Sequence, residues 1–468
     1  MIEPYGTRAG KGFLTLKNWV VHFVGIGGVG MSSIAEVLHN LGYNVSGSDI
    51  QQSDTTERLR KLGITISIGH SKENIKNASV VVVSSAISYD NIEINTAQEA
   101  SIPVIARAEM LAELGRLKHS ILIAGAHGKT TTTSLIATIL SDGNLDPTLV
   151  IGGKLKSLDS NARMGLGEFL VAEADESDGS FLKLSPAIAV VTNIDREHLD
   201  FFGNIENIKR SFVEFINKVP FYGAAILCVD NNQVQDIIPR VHRRFTTYGL
   251  TRDAVLRAVN ISSSGFMTSF DVLFHGKAIG SFMIPLPGIH NVLNALAALA
   301  VGIELEIDTS LMRKSLKNFG GIKRRFEFKG EKSGIKVFDD YAHHPSEIKA
   351  VLKAVQFGFG QRVVVLFQPH RYTRTRDLLT DFYPVFNGVD KVIVTDIYAA
   401  SEAPIEGIHA GLLCEGLKQF GQDVEYIKSH DDIIDYLLNY LQPRDMFITL
   451  GAGNIWTIGE QLLERLQH

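Results

Sequence analysis

Ser120-Ile-Leu-Ile-Ala-Gly125-Ala-His-Gly-Lys-Thr130-Thr-Thr-Thr133 and, about a hundred residues earlier, Trp19-Val-Val-His-Phe-Val-Gly25-Ile-Gly-Gly-Val-Gly30-Met31 share one design. In each, an apolar run of strand length feeds a glycine turn that opens a helix-like stretch. Such a turn points backbone N–H groups and a helix N-terminus at an anion, so each copy is a candidate phosphate site. Only the second adds a lysine, Lys129, for phosphate charge and a hydroxyl, Thr130, for Mg²⁺. One cup therefore suits a nucleotide-linked molecule and the other a nucleoside triphosphate.

Outward from these two turns, short β-branched runs alternate with longer amphipathic stretches, the pattern of parallel sheets covered by helices. The runs Val20 to Val24, Asn44 to Ser48, Val80 to Ser84 and Val104 to Ile105 read as strands, followed by a connecting helix over Ala108 to Leu117. A second series starts at Ile121 to Ala124 and continues through Phe169 to Glu173, Ile188 to Thr192 and Ala225 to Val229. Asp253 to Met283 alternates and is punctuated by Gly and Ser, which predicts antiparallel strands, and the Ala/Leu-rich Asn291 to Leu305 predicts a buried helix. A third series holds Ile335 to Phe338, Val363 to Phe367, Lys391 to Thr395 and Met446 to Leu450. The expected fold class is α/β with three domains, over 1–107, 108–318 and 319–468.

With 468 residues and 45 % hydrophobic content the chain has material for several cores. Its 46 basic and 51 acidic residues leave a net charge of −5, which points away from nucleic acid or an anionic membrane as partner. Cys228 and Cys414 lie far apart without other metal ligands nearby, as buried reduced thiols would. No apolar run is long enough to span a membrane, and Met1 to Lys11 is polar, so a cytoplasmic protein is expected.

The remaining motifs follow strands. Asp49 lies about twenty residues beyond the first glycine turn, where it either accepts a ribose hydroxyl or caps the turn begun by Ser48. The second turn is shorter than the common P-loop, with only Ala126 and His127 between Gly125 and Gly128. His127 either contacts phosphate or packs. Glu173-Ala-Asp-Glu-Ser-Asp178 and Thr192-Asn-Ile-Asp-Arg-Glu-His198 each end a strand, where side chains face the phosphate crevice of an open α/β sheet. Glu173 and His198 are the candidate metal ligands, with room for a second cation. His290-Asn291-Val-Leu-Asn294 either caps the Ala-rich helix or meets an adenine edge. Lys323-Arg324-Arg325 follows two glycines and is either a solvated charged face or a phosphate clamp, while Asp339 to Pro345 and Gln368 to Arg376 crowd hydrogen-bonding groups after two strands. Arginine forks bind carboxylates bidentately, so this last region suits a carboxylate-bearing substrate.

Taken together, GxGGxGM at Gly25 to Met31, GAHGKTTTT at Gly125 to Thr133, EADESD at Glu173 to Asp178, TNIDREH at Thr192 to His198, HNVLN at His290 to Asn294, GGIKRRFE at Gly320 to Glu327, DDYAHHP at Asp339 to Pro345 and FQPHRYTRTRDL at Phe367 to Leu378 resemble the Mur ligases in order and over nearly the whole chain. One departure is Ala126, where the family commonly carries a hydroxyl residue. The resemblance implies a Rossmann-like N-terminal domain, a central P-loop ATPase domain with a mixed sheet and a C-terminal Rossmann-like α/β domain. It implies an ATP-dependent ligase that joins L-alanine to the lactyl carboxylate of UDP-N-acetylmuramate through an acylphosphate, with Mg²⁺, two ions, as cofactor, acting as a monomer or homodimer. It implies that Gly25, Gly27, Gly28, Gly30, Met31, Asp49, Ser84 and Arg107 bind the UDP-sugar. Gly125, His127, Gly128, Lys129, Thr130, Thr131, His290, Asn291, Asn294, Arg325 and Asp340 would bind ATP, and Thr130, Glu173 and His198 the metal. Tyr341, His343, Arg371 and Arg374 would hold the amino acid, and Lys129, His198, Arg324 and His343 would act in catalysis. A sister ligase that attaches a preformed peptide to the same sugar nucleotide, and a NAD-dependent Rossmann oxidoreductase, are the competing readings.

Overall fold

The computed structural model describes residues 19–466 other than 85, 89, 117, 156–159 and 401, with side chains for all of these but 153–155, 160, 161, 199, 200 and 357. Met1 to Lys11 and Leu117 lie outside the described residues. The fold is α/β, and contacts divide it into two compact units. The first holds the described residues up to Thr247 other than 155, together with Ala300–Ile307; the second holds Tyr248–Leu299 and the described part of Asp308–His468.

In the first unit, β1 (Val20–Val24), β2 (Asn44–Asp49), β3 (Thr65–Ile68), β4 (Val80–Val83) and β5 (Val104–Ala106) form a sheet of order β3-β2-β1-β4-β5. Every pairing is parallel. The order reverses between β1 and β4, and at such a switch point the loops after the two strands part and leave a crevice. The turn Gly25 to Gly30 and Ser84 sit at that edge. A second sheet is built from β6 (His119–Ala124), β7 (Thr148–Leu155), β8 (Ser160–Arg163), β9 (Phe169–Glu173), β10 (Ile188–Val191), β11 (Ala224–Cys228) and β12 (Phe245–Gly249), in the order β12-β11-β10-β6-β9-β7-β8. Strand β6 lies between β10 and β9, parallel to both. The three motifs that follow these strands therefore emerge side by side.

In the second unit, β13 (Leu256–Ser264), β14 (Met267–Phe274) and β15 (Lys277–Ile284) form the expected antiparallel run. The Ala-rich helix spans Ile289–Glu304 and passes from the second unit into the first at residue 300. The last sheet has β16 (Glu327–Lys332), β17 (Ile335–Asp340), β18 (Val363–Phe367), β19 (Lys391–Val394), β20 (Val424–Tyr426) and β21 (Met446–Leu450), ordered β16-β17-β21-β18-β19-β20. Asp340, Leu450 and Phe367 are in register on three adjacent parallel strands, so the loops after them open at one edge. Successive residues of these strands serve opposite faces. Val363, Val365 and Phe367 enter one apolar core and Val364 and Leu366 another, as a sheet covered by helices on both sides requires. Cys228 and Cys414 are both free and buried.

Candidate active site

The first glycine turn is shaped by three close approaches. Gly25 has φ +77, a region open to glycine, and its N–H and that of Ile26 both donate to Ser48 O at 2.8 and 3.0 Å. A Cβ on Gly27 would lie 2.8 Å from Asp49 Oδ2, and one on Gly30 would lie 2.6 Å from an Arg107 guanidinium nitrogen. Asp49 accepts the Gly27 N–H at 2.8 Å and, at 3.4 Å, that of Gln51. Its carboxylate thus fastens the turn in this state. Gly28 caps helix Val29–Asn40 without a side-chain hydrogen bond, and Met31 in the first turn is buried. Ser84 accepts the Ile87 N–H at the end of β4.

The second turn is tighter. Gly125 has φ +139, and a Cβ there would sit 2.2 Å from Thr192 Oγ1; Gly128 has φ +82 and caps helix Lys129–Asp142 with no side chain. Its orphan N–H groups therefore point toward the site. Asn193, at the end of β10, holds His127 from both sides, accepting its N–H at 2.8 Å and donating to its carbonyl at 2.9 Å. The His127 ring Nε2 lies 3.3 Å from Asp195 and 3.5 Å from Glu197. Lys129 Nζ donates to Gly125 O at 2.6 Å and to both oxygens of Glu176 at 2.9 Å. Burial opposes its charge, but Glu176 and Asp175 beside it outweigh burial and hold the ammonium above the ordinary lysine range. Thr130 and Thr131 are buried in the first helical turn.

Carboxylates collect beside this turn. Glu176, Glu197 and His198 bring their ligand atoms within 4.8 Å of one another. His198 has φ +56, a strained value for a histidine and one often met at functional sites. Glu173 accepts the Gly152 N–H at 2.7 Å with one carboxylate oxygen. Asp175 pairs with Arg107 at 3.1 Å. Burial alone would raise the Asp175 carboxyl, and Lys129 and Arg107 pull it below the usual aspartate value.

In the second unit, Asn291 and Asn294 are buried at the start of the Ala-rich helix; Asn291 donates to Pro287 O at 2.8 Å and Asn294 donates to Asn291 Oδ1 at 3.2 Å. His290 is pushed down to about 4 by burial and by the neighbouring charge of Arg325. Asp340 accepts the N–H groups of Phe326 at 2.6 Å and Ala342 at 2.7 Å, and burial pushes its carboxyl up to about 6. Arg324 reaches Asp339 at 3.1 Å and the Gly451 carbonyl at 2.6 Å. The Tyr341 ring lies 5.0 Å from the Arg324 guanidinium and 5.3 Å from that of Arg325. His343 meets Tyr341 edge-on at 5.4 Å and His370 at 5.3 Å, and His370 stacks on Tyr398 at 5.7 Å. Arg374 Nη1 approaches His370 Nδ1 at 3.0 Å, which makes that nitrogen the acceptor. Arg371, with φ +71, caps the short helix that carries Arg374.

Three family models match in succession: the "Mur ligase family, catalytic domain" over 20–119, the "Mur ligase middle domain" over 123–302, and the "Mur ligase, glutamate ligase domain" over 324–453. The chain belongs to the Mur ligase family. Among curated relatives, the UDP-N-acetylmuramate–L-alanine ligase of Geobacter sp. (strain M21) is 58% identical over 96% of this chain and 97% of its own length. That of Geotalea uraniireducens (strain Rf4) is 57% identical over 96% and 98%. A solved UDP-N-acetylmuramate–alanine ligase from Thermotoga maritima superimposes with a TM-score of 0.82 at 29% identity, over 95% of this chain and 98% of that one. A murein peptide ligase from Psychrobacter arcticus shares the fold at 24% identity, with a TM-score of 0.70 over 96% and 98%.

As a Mur ligase the chain is an ATP-dependent amide ligase, and membership removes the oxidoreductase reading. The structure gathers Lys129, Thr130 and His198 in one unit, and His290, Asn291, Asn294, Arg324, Arg325, Asp340, Tyr341, His343, Arg371 and Arg374 in the other. Several neighbours went unassigned in the sequence. Glu176 and Glu197 lie inside motifs quoted there, but which carboxylate of EADESD turns to the lysine depends on the turn after β9. His370 lies in FQPHRYTRTRDL without a role of its own, and Glu347, whose carboxylate lies 3.4 Å from His343 Nδ1, falls just beyond DDYAHHP.

Proposed function

We propose that this ligase joins L-alanine to the lactyl carboxylate of UDP-N-acetylmuramate in the cytoplasm, with ATP consumed through an acylphosphate, and that it is organised in domains 1–107, 108–318 and 319–468. The observation that carries the chemistry is Lys129 at the mouth of a glycine turn beside Glu176, Glu197 and His198. The names of the relatives support the choice of substrates; the gap between the second and third matched family models, 302 to 324, brackets the proposed border at 318/319, while the first two models part at 119 to 123, beyond the proposed 107/108.

A carboxylate is a poor electrophile, so it must be activated before an amine can attack. Attack on the γ-phosphate of ATP brings two anions together, and Lys129 offsets that repulsion while the bare N–H groups after Gly128 take phosphate oxygens. Glu176, Glu197 and His198 offer two carboxylates and an imidazole at ligand spacing, with the Thr130 hydroxyl and Glu173 near the same edge, a donor set that would hold Mg²⁺, and a second ion is part of the proposal. Bound there, Mg²⁺ would neutralise charge on the transferring phosphoryl group. Arg325 and Arg324 supply further charge, and His290, Asn291, Asn294 and Asp340 take the nucleoside. In the first sheet, Gly25, Gly27, Gly28 and Gly30 cradle the UDP diphosphate, Met31 packs beneath them, and Asp49, Ser84 and Arg107 line the crevice. Arg371 and Arg374 fork onto the alanine carboxylate beside Tyr341. Burial lowers the His343 imidazole below its ordinary value, so it is neutral near pH 7 and able to accept the ammonium proton. Its Nδ1 lies 3.0 Å from the Tyr341 carbonyl and donates to it, which leaves Nε2 as the accepting atom.

The test supplies purified protein with ATP, Mg²⁺, UDP-N-acetylmuramate and either L-alanine or the stem tripeptide. Phosphate release with L-alanine, and an alanyl product by mass spectrometry, are expected. Turnover with the tripeptide alone would assign the chain to peptide attachment instead.

A further inference from the structure

The β13–β14 hairpin has no part in the chemistry above, yet its tip breaks the usual rule for turns. Gly265, at φ +56, and Phe266 form the two-residue turn between Ser264 and Met267, where polar residues are the norm. Phe266 is half-buried there, packed against a core. Its ring centroid lies 5.2 Å from Phe359, 5.5 Å from Phe338, 5.7 Å from Phe328 and 6.4 Å from Phe326. The Gly265 N–H donates to Gly358 O at 3.0 Å and pins the tip beside these rings.

Two of these phenylalanines, Phe326 and Phe328, directly follow the arginine clamp in the chain. Arg324 and Phe326 have φ +62 and +43, so the clamp is a backbone of two left-handed residues on either side of Arg325. Such conformations cost energy and persist where the surroundings over-determine them. Phe326 is held by its stack on Phe338, 4.8 Å and 19° apart, and by its N–H bond to Asp340. Phe266 closes the same ring cluster from the hairpin side.

We propose that Phe266 is a positioning residue, seating the Arg324–Phe328 segment so that Arg325 and Asp340 are aimed for ATP. The inference rests on the ATP reading of that segment. Replacing the ring removes the hairpin side of the cluster in which Phe326 and Phe338 stack, so the Arg324–Phe326 backbone shifts and swings the guanidinium of Arg325, which weakens its hold on ATP on the order of tenfold. Steady-state kinetics of Phe266→Ala and Phe266→Leu with each substrate varied in turn test this. The expected result is a KM for ATP raised on the order of tenfold in Phe266→Ala and less in Phe266→Leu, with the KM for UDP-N-acetylmuramate unchanged, and little further loss when Phe266→Ala is added to Arg325→Ala. A drop in kcat with every KM unchanged, or losses that multiply fully with Arg325→Ala, would reduce Phe266 to a folding residue and overturn the inference. If Phe266→Ala does not fold, the same split is read from Phe266→Leu. ATP binding to the wild type by calorimetry checks the underlying reading separately.

Discussion

Replacing Lys129 separates what the residue does for the fold from what it does for catalysis. In this state its ammonium makes two charge-assisted bonds of 2.9 Å to Glu176, whose side chain is only 5% exposed. Lys129→Ala strands that carboxylate, and removing one partner of a buried pair costs 3–5 kcal/mol; because Lys129 retains 18% exposure, about 3 kcal/mol is expected. Glu176→Gln in the same chain removes the stranded charge and should restore most of that stability, since the amide needs only hydrogen bonds. Ligation does not return, because the γ-phosphate still lacks its cation, and loss of one such stabilising donor slows turnover on the order of a thousandfold. Equilibrium urea unfolding at pH 7 and phosphate-release kinetics on the wild type, Lys129→Ala and the double variant give the two readouts. A Lys129→Ala protein that unfolds at the wild-type midpoint, or a double variant that recovers turnover, would refute the reasoning.

Other outcomes follow from single groups. His290 is held at about 4 when folded against 6.5 when unfolded, so the unfolded state binds the extra proton between those values. Stability should fall as pH drops from 6.5 toward 4, and His290→Asn should flatten that limb in urea titrations. Asp340→Asn keeps one acceptor for the two N–H groups of Phe326 and Ala342, and leaving one unmet should cost about 1–3 kcal/mol in denaturation together with a higher KM for ATP. Arg374→Lys swaps a fork for a point charge and should raise the KM for L-alanine on the order of tenfold while the KM for ATP holds, measured by varying each substrate.

Much of the α/β order was legible because parallel strands covered on both faces are continuously apolar, as in Val363 to Phe367. The strands that escaped notice are mainly at margins or carry glycine and charge. Strand β16 is Glu-Phe-Lys-Gly-Glu-Lys at a sheet edge, β20 is three residues at the other edge, and β7 contains Gly152 and Gly153. An edge strand needs only one neighbour, so its composition need not announce it. In the site, the glycine turns could be read because positive φ and close approach demand glycine locally. The carboxylates could be read as a group but not ranked, since Glu173 meets Gly152 and Glu176 meets Lys129 through contacts across strands. Phe266 was invisible for the same reason: its partners begin sixty residues further along the chain.

The charges between the two glycine turns of the first unit alternate. Arg107 lies against Gly30, pairs with Asp175, and Asp175 in turn feels Lys129, which grips Glu176. Two cations and two carboxylates leave the row neutral, so neither cup offers surplus positive charge from these residues to a nucleotide. A triphosphate arriving at Lys129 competes with Glu176 for it, and a carboxylate released in a site of low dielectric must find another cation. Glu176 already lies within ligand distance of Glu197 and His198. A divalent cation held by Glu176, Glu197 and His198 would compensate that carboxylate and leave the lysine to phosphate, so binding of ligand and cation would be coupled through the charge of the row. Gly30 belongs to the same arithmetic, because any larger residue there would push Arg107 away and leave Asp175 to compete with Glu176 for Lys129.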